Sequence, residues 1–311
     1  GSGPFTVADF QPGHSLKLAR SDTYHGTKAA SNVVEFMQYS DADALSKALT
    51  DGSLDMAAPV SASTATGLNG KDGLTVKEGA TTDKVLLAYN NGTDSLLSDE
   101  QARKAFRYQI DAAGIASAQP DAAGALGGPI SLLEPGYEDL TGLYPHDENQ
   151  AGQMFSYFGA QYLTTVNLVV PEEYRSLAET IKQQIERQPR PTVNLEVLSD
   201  EDYAKRIKDG KWELTVMSMD GTDDAGIFAD PDSMFHYDHT EAQQAYADAR
   251  AATNDADYEA RMKAYARLIS EDAASDWLYT RKCFTVASTK VSGYPTSMIN
   301  RRMPLAGLTV K

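Results

Sequence analysis

The sequence predicts an α/β protein whose sheet is parallel or mixed and is flanked by helices. The main observation is an alternation between residues 165 and 219, in which three strand-like segments, TVNLVV, TVNLEVL and KWELTVMSM, are separated by two amphipathic helical segments. Strands that alternate with helices join into one sheet through right-handed crossovers. The chain has 311 residues and 41% of them are hydrophobic, which is enough for one large core or two smaller ones.

The two crossover helices are indicated by their apolar stripes and their ends. The first has Pro171 in its opening turn and a stripe that includes Leu177 and Ile181. The second, SDEDYAKRIKDG, is predicted to be capped and to end at Gly210. Ligands of such open sheets bind beyond the carboxyl ends of the strands. The segment after the third strand is therefore where a binding site is expected.

The chain before this alternation is predicted to be mostly extended up to residue 97. One short helix, DADALSKALTDG, interrupts it and should end at Gly52. A second helix follows in LLSDEQARKAFRYQID, with Ser98 as the predicted N-cap and Gln101 completing a capping box. Residues 116–150 are rich in Gly, Pro and Ala and are predicted to be a long connecting loop. Two helices and a strand after residue 240 complete the expected elements.

The charge balance restricts the class of partner. Lys and Arg number 28 against 44 Asp and Glu, which gives a net charge of −16 at pH 7. Nucleic acids and anionic membrane surfaces require clustered basic residues, so the acidic charge balance argues against both as partners. We expect a monomer that handles small solutes. The single cysteine, Cys283, excludes an intramolecular disulfide and a cysteine-based zinc site. No apolar run approaches the length of a membrane span, and no signal peptide is visible.

The densest polar cluster lies directly after the third strand, in SMDGTDDAGIFADPDSMFHYDHT. Counted from its first aspartate, an EF-hand loop would need Gly at the sixth position and Glu at the twelfth, where the chain has Ala225 and Pro231. That calcium pattern fails. Two other interpretations of the cluster stay open. Its carboxylates could be paired for acid–base chemistry, or the segment could be a solvated turn whose aspartates cap helices. The acidic residues of the cluster are Asp220, Asp223, Asp224, Asp230 and Asp232.

Two histidines in the same segment allow a different interpretation. His236 and His239 are three apart, a spacing that would place both on one helical face for a metal ion. This suggests, as the alternative function, a metal- or carboxylate-dependent hydrolase centred on residues 220–239. No third ligand can be named, and Thr240 is the simpler prediction for the cap of the next helix. Serine-nucleophile, phosphate-binding and dinucleotide-binding motifs are absent from the sequence, so no cofactor and no metal is expected.

Eight short motifs occur in order between residue 1 and about residue 295. The most recognisable is LSDEQARKAFRYQID, which begins at Leu97. Together they resemble the extracytoplasmic solute-binding proteins of ABC importers, in the family 5 group that binds oligopeptides, dipeptides and nickel. The other seven motifs are GSGPF, SDTYHG, ALTDGSLDMA, LLAYNN, YPHDENQAGQMFSYFG, ADPDSMF and ARLISEDAASDWLYTRKCFTVAS.

The resemblance implies a bilobal periplasmic-binding-protein-like fold of type II, cluster C, with two mixed-sheet lobes and flanking helices. Residues 1–97 would form part of lobe I, residues 98–282 lobe II, and residues 283–311 a return to lobe I. In this family the turn that GSGPF resembles is internal. The chain is therefore expected to be a carboxy-terminal part that lacks the N-terminal extra domain and the signal segment.

The resemblance also implies a function and a site. The expected function is a non-enzymatic receptor that captures peptides or similar small solutes outside the cytoplasm, periplasmic or lipid-anchored, and delivers them to a membrane permease. Peptide-binding members hold the ligand's amino group with an aspartate in a W-x-x-D loop, and that loop aligns with SMDGTDDAG. Asp223 or Asp224 would be the anchor, a charge-assisted pair. Met219 and Asp220 lie near the place of the tryptophan, which is missing here.

Overall fold

The structure is a computed structural model that describes residues 2–158 and 165–311. The chain divides into two compact units, of which unit 1 comprises Gly1–Thr81 with Lys282–Lys311 and unit 2 comprises Thr82–Arg281. The lobe boundaries predicted from the sequence, after residues 97 and 282, stay a prediction. Gly1, the first residue of the motif GSGPF, and Gly159, the last residue of YPHDENQAGQMFSYFG, lie outside the described residues.

Unit 1 contains a three-stranded antiparallel sheet and a smaller α/β layer. The sheet has the order β1-β2-β3. In the α/β layer β4 pairs with the part of β10 that lies in unit 1, with Val60 opposite Phe284. The bounds in this unit are β1 Phe5–Gln11, β2 Ser15–Arg20, β3 Val33–Met37, α1 Ala42–Asp51, β4 Met56–Val60, α2 Ala62–Leu68, the start of β5 Leu74–Tyr89, the end of β10 Ser275–Ser288, β11 Val291–Ser292 and β12 Thr309–Val310.

Unit 2 contains the predicted alternation of strands and helices. Three short 3₁₀ helices, Leu96–Ser98, Glu172–Tyr174 and Asp224–Ala229, join its elements. The remaining bounds are α3 Glu100–Gln109, α4 Ala112–Ala118, β6 Ala122–Ala125, α5 Glu148–Tyr157, β7 Thr165–Pro171, α6 Arg175–Ile185, β8 Thr192–Leu198, α7 Asp200–Lys208, β9 Leu214–Met219, α8 Thr240–Arg250 and α9 Asp255–Glu271. Among the helices of the described chain, none is both long and apolar enough to cross a bilayer.

The sheet of unit 2 is mixed, as the sequence predicts. Its strand order is β10-β5-β9-β7-β8, with β6 paired to β10. Strands β7 and β8 are parallel, as are β7 and β9, whereas β5 runs antiparallel to β9. The two crossovers thus place the carboxyl ends of β7, β8 and β9 at one edge. That edge is where β5 enters unit 2, because antiparallel neighbours begin where their partners end.

Helices cover both faces of this sheet, so the part of β5 in unit 2 is buried on both sides. Val85, Leu87 and Tyr89 belong to one apolar core, which also contains side chains from α3, α5 and α6. Leu86 and Ala88 belong to a second core with side chains from α8 and α9. Alternate residues of a strand point to opposite faces. Two-sided burial therefore explains why this segment is continuously apolar rather than alternating.

Several local predictions are confirmed and others need correction. Helix α1 ends at Gly52, whose φ of 78° suits a residue without a Cβ. Ser98, however, is not the N-cap of α3. It lies in the 3₁₀ turn that Ser95 caps, and Asp99 caps α3 by accepting from the Gln101 amide at 2.8 Å. A serine next to an aspartate gives two capping candidates, and the preceding turn decides between them. Residues 116–150 also contain the end of α4 and strand β6, so they are not one loop.

We expect Asp99→Ala to lower the free energy of unfolding by about 1 kcal/mol, because an orphan amide of α3 loses its acceptor. Ser98→Ala is the matched control and should change it by a few tenths of that amount. Urea denaturation midpoints of the two variants and the wild type provide the comparison. Equal losses in both variants would contradict the assignment of Asp99 as the cap.

Candidate functional site

The candidate site lies at the carboxyl end of β9, where β5 enters unit 2. Met219, the last residue of β9, is opposite Lys84 of β5 in the antiparallel register. The loop that follows β9 therefore starts beside residues 82–84 of β5. This register brings residues far apart in the sequence into one place, at the edge where binding sites of open sheets are expected.

Lys84 organises this loop from inside the protein. Its side chain is 2% exposed, and its ammonium group donates to the Thr82 carbonyl oxygen at 3.0 Å, the Gly221 carbonyl oxygen at 3.0 Å and the Glu134 carboxylate at 2.8 Å. Glu134 also accepts from the Ser131 amide at 2.8 Å. A lysine ammonium has three protons, and three oxygen acceptors surround this one. The buried charge is therefore both paired and hydrogen-bonded.

Asp224 faces the same ammonium group. Its Oδ2 lies 3.6 Å from Lys84 Nζ and accepts from the Gly221 amide, and the side chain is 23% exposed. A Cβ on Gly221 would come within 2.1 Å of Asp224 Oδ1, so only glycine allows this approach. Asp220 accepts from the Thr82 hydroxyl at 2.7 Å. Both carboxylates therefore fix the loop to β5.

Asp223 points to a different neighbour, helix α8. Its carboxylate accepts from the Tyr246 hydroxyl at 3.0 Å and lies 3.5 Å from Nη1 of Arg250. The Asp223 side chain is 49% exposed, more than the side chains of Asp224 (23%) and Glu134 (3%), which are also paired with a cation. Burial first, and then the hydrogen bond to Asp223, raise the pKa of Tyr246 to about 12. The hydroxyl therefore stays a donor at neutral pH.

The four residues predicted from the sequence lie at the end of β9 (Met219) and in the loop that follows it (Asp220, Asp223 and Asp224). We name the charged group around it the Lys84 cluster. It comprises Lys84, Glu134, Asp220, Asp223, Asp224 and Arg250. Four carboxylates face two cations, so the formal sum is −2. Met219 is half-buried and packs against the second core of unit 2.

The histidines of the same segment are placed differently from the prediction. His239, rather than Thr240, is the N-cap of α8, and its Nδ1 accepts from the Ala242 amide at 3.3 Å. It precedes the helix, so His236 and His239 do not share a helical face, and that prediction is wrong. Asp230 accepts from the Asp232 amide within its own turn. Within residues 2–158 and 165–311, no group of three or more His, Cys, Asp or Glu is placed to hold a metal ion.

Sequence reasoning missed Lys84 and Glu134, although one signal was available. A lysine inside the apolar strand DKVLLAYN has no solvated face to occupy once both sides are buried. A second group was also missed, on the opposite face of β5. There Arg281 lies 3.3 Å from Asp83, 3.2 Å from Asp121 and 3.3 Å from the Tyr174 hydroxyl. Neither group has a local sequence motif, because the partners are 50 to 198 residues apart.

Lys84→Met should destabilise the protein by about 3–5 kcal/mol, because Glu134 is left buried without its counter-ion. Glu134→Gln, which keeps an acceptor for the Ser131 amide, should also destabilise it. The double variant should lose less than the sum of the single losses, since neither buried charge then lacks its partner. Urea denaturation of the four proteins tests this. Strictly additive losses would show that the two side chains do not act as a pair.

Comparisons with known proteins bear on this geometry. The family model described as bacterial extracellular solute-binding proteins, family 5 Middle, matches residues 1–246. No curated protein sequence matches the chain at a significant level. Solved structures match along the whole chain, at low sequence identity, and show the fold alone. The chain spans about two thirds of the length of these structures.

Three of these structures illustrate the similarity. The ABC transporter substrate-binding protein CtaP from Listeria monocytogenes has a TM-score of 0.86 at 15% identity, over 100% of this chain and 67% of CtaP. The oligopeptide-binding protein AppA from Bacillus subtilis, in complex with a nonapeptide, has a TM-score of 0.74 at 17% identity. The match covers 100% of this chain and 67% of AppA. DppA from Helicobacter pylori, in complex with the peptide STSA, has a TM-score of 0.77 at 17% identity. The match covers 100% of this chain and 63% of DppA. With a family model matched over residues 1–246, the chain belongs to the bacterial extracellular solute-binding proteins of family 5.

Proposed function

We propose that the protein is the receptor of an ABC importer, which captures peptides or similar small solutes outside the cytoplasm and passes them unchanged to a membrane permease. Membership of the solute-binding family supports this. The fold shared with AppA and DppA, both solved with peptides, favours peptides as the ligand class. Units 1 and 2 would then correspond to lobes I and II of a monomeric receptor that is periplasmic or lipid-anchored.

The observation that supports a peptide site best is the charge of the Lys84 cluster, with its formal sum of −2 at the carboxyl end of β9. A peptide's α-ammonium group carries one positive charge and donates three hydrogen bonds, so it complements such a loop. An anionic group would be repelled. The proposed ligand end at this loop is therefore the amino terminus.

Asp223 is the proposed contact for that ammonium group. Asp224 is engaged by the buried Lys84, so moving it would leave that cation with less charge compensation. Asp223 is paired with Arg250, a side chain that is itself 57% exposed. Exposed ion pairs contribute little stability and rearrange at low cost. Asp223 can thus accept a ligand while Asp224, Asp220 and Met219 hold the loop in place.

Asp223→Asn should weaken binding of a peptide with a free amino terminus by about 1.5–3 kcal/mol, roughly 10- to 150-fold, because a charged hydrogen bond is lost. The peptide is found by incubating the protein with a randomised tetrapeptide pool and identifying what is retained by mass spectrometry. Calorimetry then gives the affinity. The same peptide with an acetylated amino terminus should bind weakly to the wild type and show no further loss with the variant.

Asp232→Asn is the matched control, because it removes the same charge from an exposed position of the same segment. It should leave peptide affinity within about twofold, as expected for a screened surface charge. Equal affinity of wild type and Asp223→Asn for the free peptide would contradict the assigned contact. Cleavage of the retained peptide, with or without added metal ions, would contradict the receptor and favour the hydrolase.

A further inference from the structure

Asp223, the proposed contact of the peptide's amino group, has two partners on α8 that differ in kind. One is the Tyr246 hydroxyl, which donates to Asp223 Oδ1 at 3.0 Å. The other is the Arg250 guanidinium group, whose Nη1 lies 3.5 Å from Asp223 Oδ2. The two donors thus use different oxygens of one carboxylate. A ligand that binds Asp223 must either share the carboxylate with both donors or displace one of them.

The Tyr246 hydroxyl is held against the loop by packing. The ring of Tyr246 lies beside that of Tyr265, with centres 5.2 Å apart, and the Tyr265 hydroxyl donates to the Ala225 carbonyl oxygen at 2.7 Å. A Cβ on Gly226 would collide with the Tyr246 hydroxyl, so this group sits directly on the loop backbone. Displacing it would require packed side chains to move. Tyr246 is therefore the lasting partner of Asp223.

Arg250 is held far more loosely. It is the last residue of α8, its side chain is 57% exposed, and within the described parts of the chain Asp223 is the one carboxylate paired with it. The separation of 3.5 Å is long for a charged hydrogen bond. The negative charge of Asp223 is the largest of several contributions that raise the pKa of Arg250, so the guanidinium group stays charged. Arg250 is therefore a cation that can leave Asp223 at low cost.

A peptide's α-ammonium group has the charge needed to take the place of this guanidinium group. Each carries one positive charge, so the charge beside Asp223 is the same before and after the exchange. The ammonium group is compact and has three donors, so it can approach a carboxylate to about 2.8 Å. The exchange would thus replace a long, exposed contact with a short one. The ion pair that is lost subtracts from the affinity for the ligand.

We propose that Arg250 is an intramolecular competitor of the ligand, which occupies the Asp223 carboxylate before a peptide binds and is displaced by the peptide's α-ammonium group. Arg250 thereby lowers the affinity and favours ligands whose cation contacts Asp223 better than the guanidinium group does. Tyr246 is a positioning residue that keeps the carboxylate oriented throughout. This inference rests on the proposed function, because it requires Asp223 to be the contact for the ammonium group.

Arg250→Gln removes the competitor, and we expect it to tighten binding of the peptide retained from the tetrapeptide pool by about two- to fivefold, the range for loss of an exposed ion pair. Calorimetry measures the change. The same peptide with an acetylated amino terminus should bind the variant and the wild type equally. Arg187→Gln is the matched control, because it removes the same charge from a side chain that is 54% exposed and paired with Glu148, beyond the end of α6. It should leave peptide affinity unchanged.

Tyr246→Phe should act in the opposite direction and weaken binding of the free peptide a few-fold, because Asp223 loses its fixed donor. A merely structural role of α8 would instead change the affinities for the free and the acetylated peptide together. A crystal of the complex should show the peptide nitrogen within hydrogen-bond distance of Asp223 and the Arg250 guanidinium group away from it. A guanidinium group that stays on Asp223 beside the bound nitrogen would overturn the proposal.

Asp223→Asn separates this inference from the proposed function. The expected result is loss of affinity with Asp223→Asn, a gain with Arg250→Gln, and no gain when Arg250→Gln is added to Asp223→Asn. Loss with Asp223→Asn but unchanged or weaker binding by Arg250→Gln would overturn the competitor and leave the peptide contact standing. Equal affinity of Asp223→Asn and the wild type would overturn the contact and, with it, the competitor.

Discussion

The contact on which the candidate site depends is the buried ammonium group of Lys84. It joins β5, the loop after β9 and the segment that contains Glu134, three parts of the chain that share no local sequence relation. A buried charge is tolerated only where its hydrogen bonds and counter-ion are in place. The position of the loop carrying Asp223 and Asp224 is therefore set by the requirements of a single lysine rather than by the loop's own composition.

Unit 2 has a second buried ion pair, and the two pairs differ in how completely their hydrogen bonds are satisfied. Lys84 and Glu134 are hydrogen-bonded to each other and to backbone groups on both sides. Arg107 and Asp276 are equally buried, yet Asp276 keeps one oxygen without a donor within the described part of the chain. The first pair is complete and acts as a framework. The second pair leaves Asp276 Oδ2 and Arg107 Nε without hydrogen-bond partners among the described residues, so it is the less completely satisfied of the two.

The sequence was sufficient for the parts of the fold that depend on local periodicity. Alternating strands and helices from residue 165 to 219, the apolar run in β5 and the stop at Gly52 follow from patterns a few residues long. Sequence-based prediction failed where two neighbouring residues could each cap the same helix. Asp99 replaced Ser98 as a cap because the preceding 3₁₀ turn includes Ser98, and His239 replaced Thr240 because Thr240 is already the first residue of α8. Such choices depend on tertiary context that a single sequence window does not contain.

The same distinction applies to the site. The acidic loop after β9 was evident from the sequence, because all five of its aspartates lie within residues 220–232. What the sequence did not reveal is how the charges are shared. Asp224 is engaged by Lys84, Asp220 by Thr82 and Asp223 by groups of α8. These three aspartates are indistinguishable in the sequence, yet they differ in exposure and in how firmly their partners hold them. Their roles as framework or contact follow from those partners, since a carboxylate held by a buried cation is costly to move and one held at the surface is not.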